Sequence, residues 1–212
     1  MGKATRNQGL DPQTQFHEIY RNLSTFDFPW DINQALSFAL FRTYAVPSIG
    51  RLLDETRAFT AETQKRYDDT SLLLEVPLLD GFDSSRGKSA IRRINQMHRM
   101  YDISNDDMRY VLSTFVVVPK RWIDDYGWRK LTDDEVTASV NYYRTLGRHM
   151  GIKEIPRDLR RFRDPDGRLR TRAFRVRRGW SPRRRCHQGS ARVVLSQAAR
   201  AGDRRLQPIV DG

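Results

Sequence analysis

Apolar residues recur at three- and four-residue intervals through most of the first 156 positions, the spacing that lines one face of an α-helix. Asp11-Pro12 reads as an N-cap with proline at the first helical position, and Phe16, Ile19, Tyr20 and Leu23 then predict a first helix. Asp31 reads as the cap of a second helix, INQALSFALFRTYAV. Its near-continuous apolar character predicts burial on most sides until Pro47. Ser48 restarts the chain as SIGRLLDET. Thr60 opens TAETQKRYDDTSLLLEV, which Pro77 is expected to close, and LLDGFDSSRGKS reads as a loop. Ser104 caps MRYVLSTFVVV, whose valine run is read as a buried helix end stopped by Pro119. Thr132 and Glu135 form a capping box for a helix through Val136, Val140, Tyr143 and Leu146 to about Met150, followed by GIKEIP. Strand alternation and internal repeats are absent, so the predicted class is all-α, a single helical domain of short-jointed helices.

One stretch departs from ordinary amphipathic patterning. In Ile91–Tyr101, IRRINQMHRMY, residues Ile91, Ile94 and His98 share one helical face, while Arg92, Arg93 and Arg99 point elsewhere. An inward imidazole is either a core histidine satisfied by a carbonyl or a ligand to a metal or haem iron.

Composition narrows the chemistry. Residues 1–160 hold 23 basic and 22 acidic side chains, whereas residues 161–212 hold 15 arginines and 4 aspartates, with no lysine or glutamate. The net charge of +12 therefore belongs almost wholly to the tail. A frameshift between about Ile155 and Asp164 would account for the arginine bias. Read one base later, codons for DPDGRLRTRAF permit Thr-Leu-Met-Asp-Ala-Tyr-Glu-Arg-Glu-His-Phe, a capped amphipathic helix. The alternative is a disordered basic tail for nucleic acid or acidic lipid. The single cysteine, Cys186, lies there as well, which excludes thiolate catalysis, disulfides and cysteine-ligated metals from residues 1–160. No apolar run approaches the roughly 20 residues of a bilayer span. The N-terminus lacks a signal sequence, so the expectation is a soluble, cytoplasmic chain.

Arg66 and Thr70, four apart in QKRYDDT, stand on one helical face a turn from each other. No HExxH or Glu-x-x-His pair occurs, His17 and His149 stand alone, and no nucleophile elbow is present. These absences disfavour zinc hydrolase, di-iron bundle and serine hydrolase readings.

RLLDETRAFTAETQKRYDDT, the block from IRRINQMHRMY to WRKLTDDE, and RTLGRHMGIKEIP together resemble the catalytic domain shared by latex-clearing rubber oxygenases and mpaB-type oxygenases. The resemblance covers about Phe38–Pro156. It implies an all-α, haem b-dependent oxidoreductase using O2 on a small apolar or lipophilic substrate. It also implies His98 as the proximal ligand of the haem iron, with Arg66 and Thr70 as catalytic residues and Arg66 also at the cofactor. Arg66 suits neutralising a propionate or polarising an oxygen ligand, and Thr70 suits donating a hydrogen bond to bound oxygen. Tyr67, Leu72, Phe115 and Trp122 are candidates for lining the pocket or for plain core packing. Family domains continue with further helices after Ile155-Pro156, so the domain reads as C-terminally truncated and its activity as impaired.

The expected organisation is an N-terminal helical segment at 1–34, an oxygenase-like domain at 35–158 and an arginine-rich tail at 159–212. The competing function is a non-enzymatic helical module whose tail binds nucleic acid, provided that the tail is genuine.

Overall fold

A computed structural model describes residues 6–55 and 63–163, with the side chains of 63–67 and 163 left out. The first residues of the tail expected at 159–212 form a helix, Leu159–Arg163, that seats Phe162 in the core. The rest from 164 onward, on which the frameshift and nucleic-acid readings chiefly rest, lies outside the described residues. Among those described, every regular element is helical: α1 (Phe16–Asn22), α2 (Pro29–Thr43), α3 (Pro47–Glu55), α4 (Thr63–Asp80), α5 (Ser85–His98), α6 (Asn105–Tyr126), α7 (Asp133–His149) and α8 (Leu159–Arg163). The all-α reading holds. Between α1 and α2, Leu23–Asp27 forms a π-helical turn closed by Phe28 N–H donating to Leu23 O at 2.8 Å.

α2 packs on α6, and α1 on α7. One cluster of the core gathers Tyr20, Leu112, Phe115, Val116, Tyr143 and Leu146. A second gathers Ile19, Leu23, Phe28, Ile32 and Ile123. Burying these apolar faces supplies the main drive for the fold, since isolated helices of this length are marginal in water. The tyrosines satisfy themselves inside: the Tyr20 and Tyr143 hydroxyls bond each other at 2.7 Å, and Tyr142 stacks on Tyr20 at 4.4 Å between centroids.

The caps at Ser104 and Thr132 are as expected. Ser104 accepts from Asp107 N–H at 3.1 Å, and Thr132 and Glu135 make the reciprocal capping box. α7 ends in a Schellman motif, with Ile152 N–H donating to Gly147 O at 2.9 Å and Gly151 N–H to Arg148 O at 3.0 Å. Gly151 holds φ at 75° there, a conformation that a β-carbon would strain.

Several boundaries differ from the expectation. Pro77 and Pro119 do not end their helices, and α4 and α6 run through them. Both prolines are buried, so packing on either side outweighs the lost N–H bond. Pro77 O also accepts a bond from His17 Nε2 at 2.9 Å. The loop before the His98 helix shrinks to residues 81–84. α2 begins at Pro29, whose fixed φ suits the first position, so Asp31 lies in the first turn and not at the cap. Its carboxylate accepts from Trp122 Nε1 at 3.0 Å. Asp11 forms an Asx turn with Gln13 N–H and Thr14 Oγ1, and regular helix starts only at Phe16. α2 is also buried on one face only. Ile32, Ala35, Ala39 and Thr43 point inward, while Trp30 keeps 60% and Phe41 53% of their surface exposed.

Candidate functional site

α4 and α5 form an αα-hairpin joined by residues 81–84. The joint is built by residues whose roles the sequence reading missed. Ser84 is the N-cap of α5, accepting from Gly87 N–H at 2.8 Å and donating to Gly81 O at 3.0 Å. Gly87 lies so close to the turn that a β-carbon there would sit 1.9 Å from Gly81 O. Phe82 anchors the joint in the core against Tyr142 and the His149 ring, at 5.1 and 5.3 Å between centroids.

This tight joint sets the register of the two helices. At 1.5 Å per residue, Arg66 and Thr70 stand about 21 and 15 Å from the joint end of α4, and His98 about 20 Å from that of α5. All three therefore lie toward the same, open end of the hairpin. Ile91 and Ile94 are buried, as their spacing with His98 predicted, and His98 is the last residue of α5, half-buried, with its Nδ1 shielded from solvent. Thr70 is half-buried on α4. The backbone of Arg66 and Tyr67 belongs to α4, while their side chains lie outside the described part. Of the other lining candidates, Phe115 is core and Trp122 packs against the second cluster, whereas Leu72 is 59% exposed.

Among the described residues no three His, Cys, Asp or Glu side chains gather to cage a metal ion. A haem iron asks the protein for one axial imidazole, held in orientation by its surroundings. His98 fits that requirement: it is half-buried and seated at the end of an apolar stripe.

The remaining ionisable groups in the interior are structural. Burial pushes the Tyr20 hydroxyl up to about 12, and raises Tyr142 and Tyr143 well above the usual phenol range, so all three stay protonated at neutral pH. At the far corner Glu135 is 1% exposed. Arg129 Nη1 donates to Glu135 Oε2 at 2.7 Å, and its Nη2 to Glu135 Oε1 and Asp27 Oδ2, each at 2.8 Å. Asn7 Nδ2 and Thr132 N–H complete the shell at 3.2 and 2.9 Å. Burial works against the charged carboxylate, but the Arg129 and Thr132 bonds prevail and hold Glu135 below the usual carboxylate range.

In this all-α domain a half-buried histidine ends one helix of the hairpin, and the Arg-x-x-x-Thr pair lies on the other. The sequence model described as "ER-bound oxygenase mpaB/B'/Rubber oxygenase, catalytic domain" matches residues 34–165, and the chain belongs to this family. It is 33% identical over 154 residues to ER-bound oxygenase mpaB of Penicillium brevicompactum, covering 69% of this chain and 39% of that protein. Its identity to ER-bound oxygenase mpaB' of the same organism is also 33%, covering 36% of that protein. To mpaB of Penicillium roqueforti it is 34% identical over 155 residues, covering 52% of that relative. The chain thus spans about two fifths to one half of the length of the curated relatives it matches. No solved structure matches it. Among the described residues no helix is long and apolar enough to cross a membrane, whereas these relatives are named as ER-bound.

Proposed function

We propose that residues 35–158 form the haem b-binding core of an oxygenase that uses O2 on a small lipophilic substrate. The observation that carries this reading is the hairpin register, which sets His98 on α5 level with Arg66 and Thr70 on α4. When bound, the haem supplies the dioxygen and redox chemistry that no side chain can provide. His98 would hold the iron through one ring nitrogen, with its orientation fixed by the packing of α5 on α4. Thr70 offers a hydroxyl that donates one hydrogen bond at the same end of the hairpin. Arg66, a turn before it, carries a permanent positive charge suited to a carboxylate such as a propionate. Ile91 and Ile94, both buried, form the stripe of α5 that ends at His98. A lipophilic substrate also agrees with relatives named as ER-bound, because apolar molecules partition into membranes.

Haem reconstitution of the purified full chain tests the reading through the visible spectrum. The expected result is a Soret band that His98→Ala abolishes while helical circular dichroism is retained. No Soret band after haem supplementation, or an unchanged one in His98→Ala, overturns it.

A further inference from the structure

The outer face of α5 carries a second constellation, separate from His98. Between this face and the C-terminal end of α7 lies a cleft of about 490 Å³, within the range of small-molecule sites. Lys88, Arg92 and Arg99 line it from α5 and His149 from α7, with the amides of Asn95 and Gln96 between them. His98 does not line it: at about 100° per residue, Arg99 points roughly a quarter-turn around α5 from His98.

The walls are fixed. Asn95 Nδ2 donates to His149 O at 2.8 Å, and the Phe82 ring stacks on that of His149. No carboxylate lines the cleft, and among the described residues Lys88, Arg92 and Arg99 make no ion pair. Elsewhere among the described residues some arginines are paired, Arg86 with Asp80 at 3.0 Å and Arg129 with Asp27 and Glu135, while exposed ones such as Arg93, Arg121 and Arg148 are not. It is therefore the gathering of three cations in one cleft that sets this face apart. Lys88 and Arg92, four apart on one helix, repel each other and weaken α5 unless an anion lies between them. From Lys88 to Arg99 the three cations span about 16 Å of helix axis, and helical side chains lean toward the N-terminus, which brings Arg99 back over Asn95 and Gln96. One carboxylate, with a single charge and two oxygens, matches three cations poorly. A phosphate or diphosphate group presents enough charge and enough acceptor oxygens.

We propose that this cleft binds a phosphate-bearing molecule, with Arg92 and Arg99 forking onto phosphate oxygens and Lys88 adding a point charge. The amides of Asn95 and Gln96 donate further bonds, and Ile91, which also lines the cleft, meets the organic part. The inference stands independently of haem binding.

Calorimetric titration of the full chain with inorganic pyrophosphate tests it, alongside co-sedimentation with phosphatidylcholine vesicles made with or without phosphatidic acid. Arg92→Gln and Arg99→Gln are each expected to weaken pyrophosphate binding about ten-fold, and the double variant about a hundred-fold. Arg121→Gln, an equal loss of charge from the exposed surface of α6, should stay within about two-fold. Pyrophosphate binding with this pattern identifies a soluble organic phosphate as the ligand. Binding only to phosphatidic acid vesicles, lost in the same variants, identifies a lipid headgroup instead. No binding in either arm overturns the proposal. So does a double variant that binds like the wild type, or an Arg121→Gln loss as large as that of Arg92→Gln. The replaced residues are exposed, and matching helical circular dichroism separates lost binding from lost folding.

Discussion

At the Glu135 corner a carboxylate with 1% exposure takes both forks of Arg129 and shares the guanidinium with Asp27, while Asn7 and the Thr132 backbone fill its remaining acceptor sites. Along the α4–α5 hairpin, by contrast, Lys88, Arg92 and Arg99 crowd one cleft with no carboxylate among its walls. Both regions concentrate charge, and only the first is neutralised by the protein itself. Internal satisfaction marks Glu135 and Arg129 as a structural clasp between the π turn and the start of α7. The charge on α5 is left for solvent or, on the proposal above, for a phosphate-bearing ligand. The packing follows the same division, since α5 rests chiefly on α4, whereas α1, α2, α6 and α7 interlock.

The largest effect is expected from breaking the clasp. Glu135→Ala leaves Arg129 beside Asp27 without its main partner, at a cost of about 3–5 kcal/mol for a pair of this burial. The lower end of that range applies, because the Arg129 side chain keeps 18% exposure. For a chain of this size, thermal unfolding should shift down by about 6–12 °C. A shift below about 2 °C would mean that the corner carries no special weight and that the contrast with the hairpin is only one of appearance.

Gly87→Ala strikes the hairpin instead. Its new β-carbon would lie 1.9 Å from Gly81 O, a backbone atom that cannot rotate away. Forcing the joint apart should cost about 1–3 kcal/mol. It should also be local, so that amide hydrogen exchange quickens in α5 while α7 keeps its protection. Equal acceleration in both helices would show that the hairpin and the interlocked helices open as one unit.

The parts legible in the sequence were those governed by local spacing. Ser104 and the Thr132/Glu135 box announce their caps because the required side chain and its partner lie three residues apart. The inward Ile91–Ile94–His98 stripe is likewise fixed by helical period. What could not be read depends on residues distant in the chain. Glu135 was visible as a capping residue, but its pairing with Arg129 and Asp27 needs the π turn folded against the start of α7. Pro77 and Pro119 were read as stops, since local rules weigh only the lost N–H bond and not the packing that carries a buried helix through it. The apolar α2 was expected to be buried on most sides, because hydropathy does not say how many neighbours a helix has. On α5, Arg92 and Arg99 were read only as pointing away from the stripe, and His149 arriving from α7 turns their face into a cleft. Arg66, Thr70 and His98 were legible as a set through the family resemblance, and the length of the joint puts them at one end of the hairpin.

The smallest effect is the pH dependence of the clasp, and its sign follows from Glu135. Its carboxyl is held below the ordinary value near 4.5 by Arg129 and Thr132, so the folded protein releases this proton more readily than the unfolded chain. The resulting stabilisation is fully present above the unfolded pKa and drains away as pH falls through the lower, folded one. A single proton bounds the slope at about 1.4 kcal/mol per pH unit, and so the shift in unfolding temperature at about 3–6 °C per unit. Other carboxylates also titrate in this window, which makes Glu135→Gln the necessary reference. Thermal scans between pH 7 and 3 should run parallel for wild type and Glu135→Gln above about pH 5 and converge below about pH 4. Curves that stay parallel throughout would mean that Glu135 titrates alike in both states and that the corner, like the cleft on α5, leaves its charge for others to satisfy.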